Sequence, residues 1–161
     1  MLIRRADPRD LVALEALEAQ AWGPGTTPAP GPPPGRQLFG DVFSWEDILV
    51  AEIDGQVAGY LALGQRTPLP SNRHVGRIRS VAVAPQQRRQ GVARVLLEAG
   101  EREARQRGFR KLNLSVLGSN DAALRLYTSA GYVVEGRLRE EYLLEDGRLV
   151  DDVIMAKPLP G

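Results

Sequence analysis

The chain has 161 residues, and its 21 basic and 20 acidic side chains give a formal net charge of +1. Because no strong field of one sign surrounds such a protein, the composition argues against nucleic-acid and membrane partners. Cysteine is absent and His74 is the only histidine, which excludes disulfides, thiolate nucleophiles and zinc sites built from several histidines. We therefore expect no metal cofactor.

The length and the amino terminus predict one domain, residues 1–161, in the cytoplasm. The length lies within the usual size of a single domain with a sizeable core. The first seven residues become charged at once and lack the apolar run of a signal peptide. No stretch approaches the length of a membrane span.

The first predicted elements are a strand at 2–5 and a helix that follows it. Asp7 offers an N-cap, and Pro8 is a residue favoured at the first helical position. Apolar residues then recur at helical spacing through 11–22, which predicts an amphipathic helix.

Residues 23–35 are nearly all Pro, Gly and Ala, so no regular hydrogen-bonded element can run through them. Too little chain precedes this tract for it to be a linker between domains, and we predict a loop. A short second helix is predicted at about 37–43. Ser44, with Asp47 three residues later, can instead cap a separate turn.

Three strands are predicted next. Asp54 and Gly55 form a strong two-residue hairpin signal between strands at 48–53 and 56–63. A longer strand at 75–84 follows a polar loop.

The second half of the chain alternates helices and strands before a final hairpin at Asp146 and Gly147. Because a whole helix separates the strands at 75–84 and 111–117, we expect these two strands to be parallel. The predicted elements of this half are a helix from 92 to near Gly108, a strand at 111–117, a helix at 120–130, and strands at 132–144 and 149–156.

The run Arg88-Arg89-Gln90-Gly91-Val92-Ala93 joins an apolar strand to a helix. The backbone N–H groups of such a turn, with the unpaired N–H groups and the dipole of the following helix, can bind phosphate. Gly91 lets a ligand approach without meeting a Cβ atom, and the small Ala93 keeps the second approach open. The run therefore has the composition of an anion-binding loop.

A second motif, N-x-x-A-x-x-L-Y-x-x-x-G-Y, runs from Asn120 to Tyr132 at helical spacing. The R-x-x-G-x-A spacing of the first run and this second motif resemble the two signatures of the GCN5-related N-acetyltransferases, in the same order and at a suitable distance. The resemblance implies an α/β (α+β) acyl-CoA N-acyltransferase fold, with a mixed central sheet of about seven strands flanked by about four helices.

The resemblance also implies acetyl-CoA as co-substrate and gives its binding residues. The pantetheine arm is expected to pair with the backbone of one strand, the pyrophosphate with the loop, and the other side of the arm with Asn120. The implied residues are Val81, Ala82 and Val83 for the arm, and Arg88, Arg89, Gln90, Gly91, Val92 and Ala93 for the pyrophosphate.

Tyr127 is the implied catalytic residue, because a phenol can hydrogen-bond or protonate the thiolate that leaves when an amine attacks the thioester. The general base is not identified. Relatives that acetylate protein amino termini carry a glutamate on the strand before the second signature helix, and Ser115 occupies that position here. A water chain, or a carboxylate elsewhere, can substitute; the carboxylates considered are Glu46, Glu52, Glu140 and Glu141.

The implied reaction is direct attack by a primary amine in a ternary complex. The acceptor is an amine-bearing small molecule or a protein or peptide amino group, and the resemblance places the tract 23–35 beside its entrance, although the tract can equally be a surface insertion. Such a final hairpin often pairs subunits, so a homodimer is one expectation. The alternatives are a non-catalytic acyl-CoA-binding regulatory module, or an acyltransferase with another acyl-CoA or acceptor.

Overall fold

The computed structural model describes residues 1–23, 25–28 and 35–161. In this described part, three α-helices accompany one mixed sheet of seven strands. The strands are β1 (Leu2–Arg5), β2 (Ile48–Ile53), β3 (Gln56–Gln65), β4 (Val75–Val83), β5 (Lys111–Leu117), β6 (Val133–Leu143) and β7 (Leu149–Pro158), and the helices are α1 (Leu11–Ala21), α2 (Val92–Gln106) and α3 (Asp121–Ser129).

The strand order is β1-β2-β3-β4-β5-β7-β6, and β4 and β5 are parallel. The mixed seven-strand sheet and the parallel pair are confirmed. The chain separates into two compact units. Among the described residues, the first unit holds Met1–Ala21, 35–64 and Ile78–Glu103, and the second holds 22–23, 25–28, Gln65–Arg77 and Ala104–Gly161. The single domain stays a prediction.

The first unit begins as the sequence predicts. Asp7 caps a short 3-10 turn that leads into α1, and its side chain accepts a hydrogen bond from the Arg9 N–H at 2.9 Å. The carboxylate of Asp10 accepts in return from the Asp7 N–H at 3.0 Å, so the cap is reciprocal. The predicted hairpin also forms, with Asp54 and Gly55 both at positive φ between β2 and β3.

The predicted second helix at 37–43 is wrong. The segment forms turns, with an isolated bridge between Phe39 and Phe43. Gly40, in the middle of the segment, has a φ of 99°, which a right-handed helix cannot include. The described part therefore has three α-helices instead of about four. A separate 3-10 turn does follow Ser44, although the Ser44 side chain makes no capping hydrogen bond.

The core of the first unit packs α2 against β3. A Cβ built on Gly100 of α2 would lie 3.0 Å from the Cδ1 atom of Leu61. A Cβ built on Gly59 would lie 2.8 Å from the carbonyl oxygen of Ala82 on the neighbouring strand. Glycine at these two positions therefore allows close packing that any side chain would disturb.

The second unit is built on β5, β7 and β6, which are antiparallel neighbours. The register pairs Leu117 with Asp152 and Asp152 with Leu138. Between Leu138 and Tyr142 the register shifts, and Glu140 lies there at a φ of 50°. The shift is a bulge in β6, the long edge strand of the sheet.

Two features are absent from the described part of the chain. None of its helices has both the length and the apolar character that crossing a membrane would need. In the same residues, no group of three or more His, Asp or Glu side chains is arranged to hold a metal ion.

Candidate active site

The loop after β4 belongs to the first unit and leads directly into α2. A 3-10 turn at Pro85–Gln87 ends β4, and Arg88 follows in an extended conformation. Arg89 and Gly91 both have positive φ, at 61° and 79°. The carbonyl oxygen of Gly91 accepts the first bond of α2, from the Val95 N–H at 3.1 Å. The loop is therefore a tight, partly left-handed turn that faces outward at a helix N-terminus.

The backbone N–H groups from Arg89 through Arg94 donate to no acceptor within the described residues. Residues 88–91 are exposed, so solvent can reach these groups from outside. The positive end of the α2 dipole lies at the same point. Six successive donors and the positive end of the helix dipole thus occur together, and such an arrangement can bind an anion such as a diphosphate.

Gly91 has open space beside it, because a Cβ built there meets no atom within 4 Å.

The end of β4, just before the loop, also has backbone N–H and carbonyl groups without strand partners. The N–H of Ala84 donates to Ala58 on β3 at 2.9 Å, and the carbonyl of Ala82 turns toward β3 as well. Because these directions alternate along a strand, the N–H and carbonyl groups of Val81 and Val83 turn to the other edge of β4.

The side chains of the loop contribute less than its backbone. The Arg88 guanidinium donates to the carbonyl oxygen of Ala21, at the end of α1, at 3.2 Å. Gln90 donates to the carbonyl oxygen of Gln86 at 3.4 Å. Arg89 is exposed, with no hydrogen bond to the described residues. Arg89 thus has all of its donors available to a phosphate group, and Arg88 has those that do not bond to Ala21.

Asn120 belongs to the second unit and caps α3. Its side-chain oxygen accepts from the Ala123 N–H at 3.1 Å, and its own N–H donates to the Leu117 carbonyl at 2.9 Å. This bonding fixes the side chain and leaves the amide N–H₂ group for another partner.

Tyr127 lies near the end of α3, also in the second unit. Its residue is 9% exposed, and its ring meets the Tyr132 ring edge to face at 6.0 Å. Burial raises the pKa of Tyr127 to about 12. The phenol is therefore protonated at neutral pH, and its hydroxyl donates to none of the described residues. A protonated phenol of this kind is a hydrogen-bond donor for an incoming ligand.

Ser115, on β5, accepts a hydrogen bond from the Arg77 guanidinium at 3.0 Å. A serine hydroxyl cannot act as the base that a carboxylate at this position would be. Of the alternative carboxylates, Glu52 accepts a hydrogen bond from Arg4 at 2.9 Å, and Glu140 lies in the bulge of β6. The general base is not identified by these contacts.

Two polar groupings were missed by the sequence analysis. In the first unit, the Tyr60 hydroxyl donates to the Glu18 carboxylate and lies 2.8 Å from Ser80 Oγ. In the second unit, Asp152 and Tyr142 share a face of the sheet. No local motif reveals either grouping, because each depends on contacts between residues far apart in sequence.

A known family matches the part of the chain that contains the predicted cofactor-binding residues. The sequence profile of the Acetyltransferase (GNAT) family matches residues 13–132, which include the loop 88–93, Asn120 and Tyr127. The chain belongs to this family. This GNAT protein is thus an acetyltransferase by family, as the two motifs predict.

The ribosomal protein bS18 alanine N-acetyltransferase of Escherichia coli (strain K12) is 42% identical over 80 residues, which are 50% of this chain and 53% of that protein. The match thus spans about half the length of that relative. The crystal structure of smu.2055 from Streptococcus mutans UA159 has a TM-score of 0.86 and 28% identity, and it covers 99% of this chain and 100% of that one. The structure of yncA from Salmonella typhimurium, solved with its cofactor acetyl-CoA, has a TM-score of 0.81 at 24% identity, over 100% and 95% of the two chains.

Proposed function

We propose that this GNAT protein transfers an acetyl group from acetyl-CoA to a primary amine by direct attack in a ternary complex. No covalent enzyme intermediate is needed: the ammonium form of the acceptor gives a proton to solvent, the neutral amine attacks the thioester carbonyl, and the C–S bond breaks as the CoA thiolate leaves. The acetyl-CoA found in the yncA structure supports this choice of co-substrate, since the two folds match closely.

One observation carries the proposal. The N–H groups from Arg89 through Arg94 lack acceptors within the described residues, and they lie beside the open space at Gly91. Unpaired donors at a helix N-terminus bind phosphate favourably. In the proposed complex they hold the pyrophosphate of acetyl-CoA, while the free backbone edge at Val81 and Val83 pairs with the amides of the pantetheine arm.

Tyr127 is the proposed partner of the leaving thiolate. With a pKa of about 12 for the phenol and ~8.5 for a cysteine-like thiol, full proton transfer is uphill by about 5 kcal/mol. Hydrogen-bond donation from the phenol to the thiolate therefore stabilises the departing group, and solvent supplies the proton afterwards. Burial strengthens such a bond, because the local dielectric is low.

The proposed acceptor is a protein or peptide amino group, with small amines as the alternative. The relative that acetylates an alanine of ribosomal protein bS18 supports the first. Ser115 supports a second candidate function, because a serine there supplies no base and a family member without turnover could still bind acyl-CoA. A cytoplasmic location and a homodimer stay predictions.

Calorimetry with acetyl-CoA, followed by thiol release with a panel of amines, tests the proposal. We expect binding, and we expect thiol release with at least one of an alanine-initiated peptide, a polyamine, an amino acid or an aminoglycoside. Mass spectrometry of the product must show one added acetyl group. Binding without release for every amine favours the non-catalytic module, and no binding contradicts both functions.

A further inference from the structure

A polar face in the second unit is not used by the function proposed above. Ser115 and Leu117 on β5 pair with Ile154 and Asp152 on β7. Because alternate residues of a strand share a face, these four side chains lie on the same side of the sheet. Tyr142, opposite Val150, joins this face and packs against the apolar cluster of Leu117, Leu144 and Val150.

Asp152 is the unusual member of the face. Its residue is 7% exposed, yet its carboxylate makes no hydrogen bond or ion pair with any described residue. The two carboxylate oxygens of Asp152 are not fully enclosed by protein, so they still touch solvent. A buried carboxylate is costly unless something compensates its charge. This one is bordered by protein and reachable from outside, which suits a cationic ligand.

Tyr142 is a neutral group on the same face as Asp152, and nearby charges act on its phenol. Burial, followed by the negative charges of Asp152 and Glu141, raises the pKa of Tyr142, while the positive charge of Arg77 opposes the rise. The Tyr142 hydroxyl is thus within the fields of both Asp152 and Arg77, and it stays protonated at neutral pH. The phenol is a neutral hydrogen-bond donor and acceptor on which both charges act.

Arg77 also has hydrogen-bond donors without acceptors among the described residues. Its guanidinium donates to Ser115 Oγ at 3.0 Å, its one hydrogen bond to the described residues. Most of its five N–H donors are therefore available. Arg77 and Asp152 do not form an ion pair with each other within the described part of the chain. Two unpaired opposite charges thus border one face.

We propose that this face binds the acceptor of the reaction, with Asp152 holding the ammonium group and Arg77 holding an oxygen next to it. The ligand class is an α-ammonium group with a neighbouring carbonyl or carboxylate oxygen. Both a peptide amino terminus and a free amino acid have this chemistry. The inference rests on the proposed function, because it identifies the acceptor of that acetyl transfer.

Asp152→Asn and Arg77→Gln test the two halves of the site separately. The probes are an alanine-initiated peptide with an amidated carboxyl terminus, free L-alanine, and propylamine, which has the amine without the oxygen. Binding of each probe to the protein is measured by calorimetry with and without CoA, and KM and kcat by thiol release. We expect Asp152→Asn to weaken binding of the preferred probe and raise its KM by ~10- to 100-fold.

Arg77→Gln separates recognition of the oxygen from recognition of the amine. It should weaken binding of the preferred oxygen-bearing probe by about tenfold and leave propylamine within about twofold. Preference for the peptide or for free L-alanine in the unmodified protein identifies the source of the ligand. Asp146→Asn is the matched control, because it removes an exposed carboxylate of the same hairpin that bonds only to Arg148 among the described residues.

The outcomes separate this inference from the proposed function. If the protein binds acetyl-CoA and an amine but Asp152→Asn binds the amine as well as the control does, the site is wrong and the function stands. If acetyl-CoA does not bind, the function falls, while loss of peptide binding in Asp152→Asn still supports the carboxylate. Failure of the unmodified protein to bind any probe overturns the site, as does an equal effect of Arg77→Gln on all three probes.

Discussion

The loop 88–93 in the first unit and the β6–β7 ladder in the second differ in the kind of polar group that each leaves without a partner among the described residues. The loop presents backbone N–H groups, and its conformation depends on positive φ at Arg89 and Gly91. In the ladder, strand pairing occupies the backbone groups, and the available polar groups are side chains. Among these, the Asp152 carboxylate has no partner in the described residues. Backbone donors can bind any ligand that carries a diphosphate, whereas in the proposed function the side chains would distinguish one acceptor from another.

The same contrast exists between two adjacent residues of β7. Asp151 accepts from the Glu140 N–H at 2.9 Å and from the Arg137 guanidinium at 2.9 Å, and it thereby holds the bulge of β6. Asp152 points to the other face and has no such bonds. Neighbouring carboxylates thus have different uses because a strand alternates its side chains between two faces.

Gly91→Glu should have the largest effect, because it blocks the proposed binding of acetyl-CoA by the backbone N–H groups of the loop. The new side chain adds bulk and negative charge in the space where the diphosphate is expected to bind, so acetyl-CoA affinity should fall by at least ~100-fold in calorimetry. Gly147→Glu is the matched control: its φ of 83° and open surroundings resemble those of Gly91, at 79°, but it lies in the last hairpin. Equal affinity of the two variants would disprove the role of the loop.

Tyr127→Phe should have the next largest effect, because it removes one hydroxyl in the second unit and leaves the loop intact. We expect kcat to fall by ~10²-fold, with acetyl-CoA affinity within about twofold. Tyr132→Phe, which removes the hydroxyl of the adjoining ring, is the control. A kcat near that of the unmodified protein would show that the phenol does not assist the leaving group.

The smallest expected effect is a difference in Tm between the Asp151→Asn and Asp152→Asn variants. Asp151→Asn weakens the bonds that hold the bulge, and Tm should fall by about 2–5 °C at pH 7. Asp152→Asn removes a buried charge without a partner, so Tm should stay the same or rise. A lower Tm for Asp152→Asn than for Asp151→Asn would contradict the assignment of these roles.

The pH dependence of Asp151 has a definite sign. Hydrogen bonds from the Glu140 N–H and from Arg137 lower the pKa of Asp151 below its usual 3.8. The folded state therefore binds this proton more weakly than the unfolded state does, and the stabilisation is complete above pH ~4 and lost as the pH falls through the lowered pKa. The Tm values of the unmodified protein and of Asp151→Asn should thus converge in scans toward pH 2.

Local signals predicted most of the elements. The hairpin at Asp54 and Gly55 and the cap at Asp7 were predicted because turn and cap preferences act within a few residues. The segment 37–43 was mispredicted for the opposite reason: its apolar residues suit a helix, but Gly40 takes a φ of 99° and Phe39 packs edge to face on Tyr60 at 5.2 Å. A contact distant in sequence decided its conformation.

The sequence alone determined the family and most of the strand and helix order, and it predicted the anion-binding loop, because each depends on short-range spacing and on backbone chemistry within a few residues. Only the tertiary structure decided which polar side chains meet. The shift of register between Leu138 and Tyr142, and the pairing of Leu117 with Asp152, place Asp152 and Tyr142 on one face with Ser115. Register is set by the packing of whole strands, so no local pattern in the chain contains it.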